Sequence, residues 1–161
     1  MKPRDFSPVA AADSRHAIDA ATGLKWHASE NRVLYADTDR SGVVYHSNYL
    51  RYFEMGRAAL MRDWGHTYRE IEEAGFVYPI VDAQLHYHNY LRYDDGMRIY
   101  TRPARIERVK LTFDYVIVNA ENDKTACSGH TTHCCLNADF APVAVDPWSA
   151  KLFADYGVTR G

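Results

Sequence analysis

A chain of 161 residues with 47% hydrophobic and 25% charged side chains has the size and composition of one soluble globular domain. Its formal charge of −2 gives no electrostatic reason to expect nucleic acid or an anionic membrane as partner, and no apolar run approaches the ~20 residues that span a bilayer. No apolar h-region follows Met1-Lys-Pro-Arg-Asp5, so no secretory signal is expected, and the three cysteines, Cys127, Cys134 and Cys135, are an odd set with two adjacent, which favours an expectation of a reducing, cytoplasmic setting over a disulfide framework.

Residues 1–28 read as an N-terminal extension, flexible or partly helical around 14–21, because they carry few large apolar side chains. The domain proper is expected over 29–161. It opens with a short strand over 31–36 and a polar turn over 37–42. A long helix then runs to Trp64, capped by Ser47 or Asn48 and stopped by Gly65. That helix is apolar nearly all round, as if a sheet wraps it. Arg57 lies inside its apolar stripe, so an ion pair with Glu54 one turn earlier is expected. Thr67-Tyr-Arg-Glu70 is a capping box for a second, shorter helix ending at Gly75.

Beyond Gly75 the period becomes strand-like. Strands are expected over 77–88, 97–108 with a bulge near Pro103, 111–119, 125–136 and 142–146, joined by tight turns that imply antiparallel neighbours, with 148–156 closing the domain. The fold class is therefore α+β: a curved antiparallel sheet around one long central helix.

The chemistry concentrates at the head of the long helix. A helix N-terminus presents unpaired N–H groups and the positive end of a dipole, which suits a developing negative charge. Asp39, just upstream, can act as base or nucleophile, and the N–H groups of Tyr45 and His46 can polarise a carbonyl. Tyr45, Tyr49 and Phe53 can line an apolar pocket, and the His46 imidazole is placed for proton transfer. Asp37 reads as a turn-stabilising group. His130-Thr-Thr-His133-Cys134-Cys135 looks like a metal motif, but on a strand its ligands alternate between faces, so no metal is expected. His86 and His88 share a face without a third ligand nearby.

The run Asp37-Thr-Asp39-x-x-Gly42-x-Val44-Tyr45-His46-x-x-Tyr49, followed by Phe53-Glu54-x-x-Arg57, resembles the opening of the hot-dog-fold acyl-CoA thioesterases. The 4-hydroxybenzoyl-CoA thioesterase family and its Tol–Pal-associated branch are the nearest types. The resemblance covers roughly residues 31–147. It implies a hot-dog fold, a homodimer or homotetramer with the site between subunits, an acyl-CoA substrate and no cofactor beyond the coenzyme A carried by that substrate. It makes Asp39 the catalytic carboxylate and the His46 N–H the main oxyanion donor. Arg108, Lys110 and Thr112 become candidates for holding coenzyme A phosphates; a solvated basic edge of Arg102, Arg105, Arg108 and Lys110 is the competing reading. Glu54 would be the carboxylate if the chain followed the glutamate-using branch. An acyl carrier protein thioesterase and a non-catalytic acyl-CoA-binding module are the alternative functions.

Overall fold

The computed structural model describes residues 6–160. Its strands are β1 (Pro8–Ala10), β2 (His16–Asp19), β3 (Lys25–Arg32), β4 (Ile80–Tyr87), β5 (Gly96–Ile106), β6 (Lys110–Asn119) and β7 (Thr125–Cys134), and its helices are α1 (Asn48–Trp64), α2 (Tyr68–Glu73) and α3 (Pro147–Asp155). All seven strands form one sheet in the order β1-β2-β3-β5-β6-β7-β4, every pair antiparallel. α1 lies across one face of it. Tyr52, Phe53 and Leu60 of α1 are buried against Ile99, Leu111, Tyr115 and Ile117 of the sheet. This is the hot-dog arrangement expected from the sequence.

The punctuation of the helices is as the sequence predicts. Gly65 ends α1 in the left-handed region (φ +109°), and the Thr67 hydroxyl accepts from the Glu70 N–H at the start of α2. The bulge in β5 falls between Pro103 and Arg105. Ser47 sits at the N-cap of α1 without a side-chain capping bond.

The N-terminal extension is a correction. Residues 6–28 of it are neither helical nor separate, and its first five residues lie outside the described ones. β1 and β2 extend the sheet, and the expected boundary at residue 28 falls inside β3. Two turns make this possible. The Asp13 carboxylate accepts from the N–H groups of Arg15 and His16, and buried Asp19 accepts from the N–H groups of Ser7 and Ala21 and the Thr22 hydroxyl. The segment needs no core of its own. Ala17 and Trp26 pack with Tyr100, Val116 and Val118 on the outer face of the sheet, and Phe6 covers them. On the inner face, the His27 Nε2 meets the Asp63 carboxylate of α1 at 2.8 Å.

Two smaller expectations also change. The strand expected over 31–36 is instead the end of β3 followed by a single 3-10 turn, Tyr35–Asp37. Residues 142–146 make only an isolated bridge from Pro142 to Leu136 before α3 begins.

Candidate active site

Asp37 builds the loop ahead of α1. Its carboxylate is 3% exposed and accepts from the Leu34 N–H (3.0 Å), from the Tyr52 hydroxyl (2.8 Å) and from the Arg51 guanidinium. Its main-chain carbonyl accepts from the Tyr45 N–H (2.9 Å) and the Asn48 side-chain amide (2.8 Å). Both ends of the loop are thereby fixed to one buried residue, the turn-stabilising place expected for it. Within the loop the Asp39 N–H donates to the Val43 carbonyl and the Gly42 N–H to the Asp39 carbonyl, with Gly42 at φ +84°. The Val44 N–H then donates to the Leu91 carbonyl, so the loop is also tied to the segment after β4.

Asp39 and His46 emerge from this clamp with capacity to spare. The Asp39 Oδ1 accepts from the Ser41 N–H at 2.8 Å, while its Oδ2 has no protein partner among the described residues. The His46 N–H, two residues before α1, likewise makes no hydrogen bond among them. The Tyr45 N–H, expected to share the oxyanion role, is bonded to the Asp37 carbonyl and is not free to do so.

Asp39, His46 and Tyr49 line one cleft of about 440 Å³ together with Val43 and Val44. The opposite wall comes from the end of β4 and the residues after it: Tyr87, His88, Asn89 and Tyr90. The sequence reading did not name these four for the site. They reach it because β4 pairs with β7 and runs back past the head of α1, a long-range placement that only the aromatic density of 86–90 hinted at. The Tyr87 hydroxyl donates to the His46 carbonyl at 3.0 Å, and its ring meets that of Tyr49 edge-on at 5.5 Å. Burial pushes the Tyr49 phenol up to about 12, so it is neutral across the physiological range. Burial, then neighbouring His86, holds the His88 imidazole below its ordinary value, and its Nε2 lies 3.0 Å from the Ser128 hydroxyl.

Other expected site residues stand elsewhere. Tyr45 is exposed outside the cleft, its ring 4.4 Å from that of His46. Phe53 is 0% exposed and stacks on Tyr115 at 4.3 Å, a core residue rather than a pocket wall. Arg108, Lys110 and Thr112 belong to the other end of the sheet. Lys110 pairs with Cys134 and Tyr87 with Cys127, which separates them by ~23 Å along β7. Thr112 spends its hydroxyl on that of Thr132. Glu54 lines a different cavity, and its expected ion pair with Arg57 is not formed; Arg57 donates to the Tyr115 hydroxyl instead. His130 faces outward to Asp82, and His133 faces inward to Thr131 and the Tyr78 carbonyl. Among the described residues no three His, Cys, Asp or Glu side chains are grouped to hold a metal ion. No helix among them is long and apolar enough to cross a membrane.

A carboxylate with a free oxygen and an unspent N–H at a helix head, facing one cleft, are the parts needed to hydrolyse an activated carbonyl. The family model described as the thioesterase-like superfamily matches residues 33–153, and the chain belongs to that family. It is 33% identical over 128 residues, 79% of this chain and 89% of the relative, to the Bacillus subtilis protein named "Putative acyl-CoA thioesterase YneP". It is 30% identical over 66% of this chain and 73% of the relative to a 1,4-dihydroxy-2-naphthoyl-CoA hydrolase of Thermosynechococcus vestitus. Among solved structures, a DHNA-CoA thioesterase from Staphylococcus aureus superposes with a TM-score of 0.76 at 28% identity, covering 81% of this chain and 89% of that one.

Proposed function

We propose that this protein hydrolyses acyl-CoA thioesters, with Asp39 as the catalytic carboxylate and the His46 N–H as oxyanion donor. The observation that carries the reading is the pairing, in one cleft, of the free Asp39 Oδ2 with the uncommitted His46 N–H. The names of the relatives supply the substrate class. With the thioester carbonyl oxygen directed at the His46 N–H, charge developing on it is stabilised by that donor and by the α1 dipole. The Asp39 Oδ2 either takes a proton from the attacking water or attacks the carbonyl itself to give an anhydride that water then opens. In both routes the C–S bond breaks, coenzyme A leaves as the thiol and the free acid is released. An aspartate in this role, rather than Glu54, supports reading the chain as one of the 4-hydroxybenzoyl-CoA thioesterase type.

The working unit in this reading is a homodimer formed through the exposed edge of β4. There Arg108 and Lys110 of one copy serve the coenzyme A phosphates bound at the other.

Thiol release from a panel of aliphatic, benzoyl and phenylacetyl-CoA substrates tests the reading. Asp39→Asn should lower kcat by about 10²–10⁴-fold on whichever members the parent hydrolyses. Retention of near-parent turnover in that variant would overturn the assignment, and loss in Glu54→Gln alone would move the reaction to the other cavity.

A further inference from the structure

A second cavity, of about 240 Å³, lies under the middle of α1 and shares no lining residue with the Asp39 cleft. From Tyr49 to Arg57 the helix advances ~12 Å. Met61, Ile71, Leu111, Phe113 and Leu152 make much of its wall apolar; Arg57 and His133 are set among them, and Glu54, Tyr68, Tyr78 and Ser149 complete the polar part of the lining.

The hydrogen bonds behind this wall have a fixed direction. The Tyr78 carbonyl can only accept, so the His133 Nδ1, 3.1 Å away, carries the proton and the neutral ring presents Nε2 as acceptor. The Thr131 hydroxyl, 2.8 Å from that nitrogen, donates to it and accepts from the Tyr115 hydroxyl at 2.7 Å. The Tyr115 oxygen in turn accepts from the Arg57 Nη1 at 3.0 Å. Burial, then the Arg57 charge, lowers the His133 imidazole to about 4, in keeping with the neutral form. Every group in the chain is satisfied without a negative charge. Arg57 spends one N–H of five on it and has no carboxylate within 4.0 Å among the described residues. Glu54 stands exposed on the same cavity without pairing. The nearby Asp146 carboxylate is occupied by the Tyr78 hydroxyl and by the N–H and hydroxyl of Ser149.

We propose that this cavity is a binding site for an apolar monocarboxylic acid, its carboxylate on the Arg57 guanidinium and its body against Met61, Ile71, Phe113 and Leu152. A partly buried guanidinium in an apolar setting needs an anion, and its planar fork fits a carboxylate with two parallel bonds. An apolar hole of ~150 Å³ already takes a benzene ring, so the volume here suits a ring or short chain bearing the acid. The proposal does not rest on the reaction assigned to the Asp39 cleft.

Calorimetric titration of the full chain with phenylacetate and with phenethyl alcohol, which keeps the ring and carbon chain without the charge, provides the test. Phenylacetate should bind at least ten-fold more tightly than the alcohol. Arg57→Met should abolish that preference while the alcohol still binds. Ala58→Leu, which fills the cavity and leaves Arg57 in place, should weaken both, and Asp39→Asn should bind as the parent does. Equal affinity for acid and alcohol would reduce the cavity to an apolar hole. Acid binding untouched by Ala58→Leu, or lost in Asp39→Asn, would put the acid elsewhere. Should Arg57→Met fail to fold, Ala58→Leu and Asp39→Asn still decide the outcome.

Discussion

Tyr87 restrains the His46–Ser47 peptide that precedes α1: its hydroxyl donates to the His46 carbonyl, one peptide on from the unbonded His46 N–H. Tyr87→Phe removes one neutral hydrogen bond, worth ~0.5–1.5 kcal/mol, from an exposed position whose ring packing survives. Turnover should fall about 2- to 10-fold with melting temperature and KM little changed; an unaltered kcat would deny Tyr87 a positioning role. His133 makes a pH prediction of opposite character. Its folded-state value of about 4 lies below the ordinary 6.5, so between those values the unfolded chain binds a proton that the folded chain does not. Stability should therefore decline as pH drops from 6.5 towards 4, by up to about 3 kcal/mol. His133→Gln should flatten that decline in urea titrations at successive pH values. At this scale the sequence was legible where neighbours in the chain are also neighbours in the fold. Asp39, His46 and Tyr49 lie within eleven residues and meet in one cleft. Tyr87 to Tyr90 were not legible, because strand pairing brings them in from forty residues away. Nor was the burial of Phe53, since a helix apolar on every side gives no clue which side faces the cleft.

The elements whose ends carry their own chemistry were readable: α1 by Gly65, α2 by Thr67 and Glu70, β5 by its proline bulge. β3 was not, because Lys25-Trp-His-Ala-Ser-Glu-Asn-Arg32 has little intrinsic strand preference and takes its state from pairing with β5. The same holds for β1 and β2, which add to an existing sheet. The contact between α1 and that sheet is tight at one point. A Cβ on Gly56 would stand 2.4 Å from the Thr101 Oγ1 and 2.5 Å from the Ile99 Cγ2. Alanine is the better helix former by up to ~1 kcal/mol, but overpacking costs ~1–3 kcal/mol, and α1 cannot withdraw while Asp37 ties its first turn to the loop. Gly56→Ala should therefore lower the stability measured by urea unfolding. A more stable variant would show that the helix can lift from β5.

On the scale of the molecule, the sheet has one long exposed edge, apolar at its Ile80–Val81 end. β4 pairs with β7 on one side only, and Ile80 and Val81 are 47% and 52% exposed. A single chain would keep such an edge as a template for another strand. In the dimer proposed above, antiparallel pairing of two β4 strands about a two-fold axis would continue the sheet through both copies. In the proposed dimer the axis would also reverse one copy against the other, so that the Arg108–Lys110 end of one sheet would lie beside the Asp39 end of its partner. The ~23 Å separation within a chain then ceases to matter, and a long coenzyme A molecule can touch both. Sedimentation velocity should give a dimer for the parent. Gln84→Lys, at the middle of β4, sets like charges against each other near the axis and should shift the equilibrium to monomer, raising KM for acyl-CoA far more than for an acyl-pantetheine that lacks the nucleotide phosphates. A dimer that survives Gln84→Lys would place the interface elsewhere. A monomer with parent KM would show that each chain holds its coenzyme A unaided.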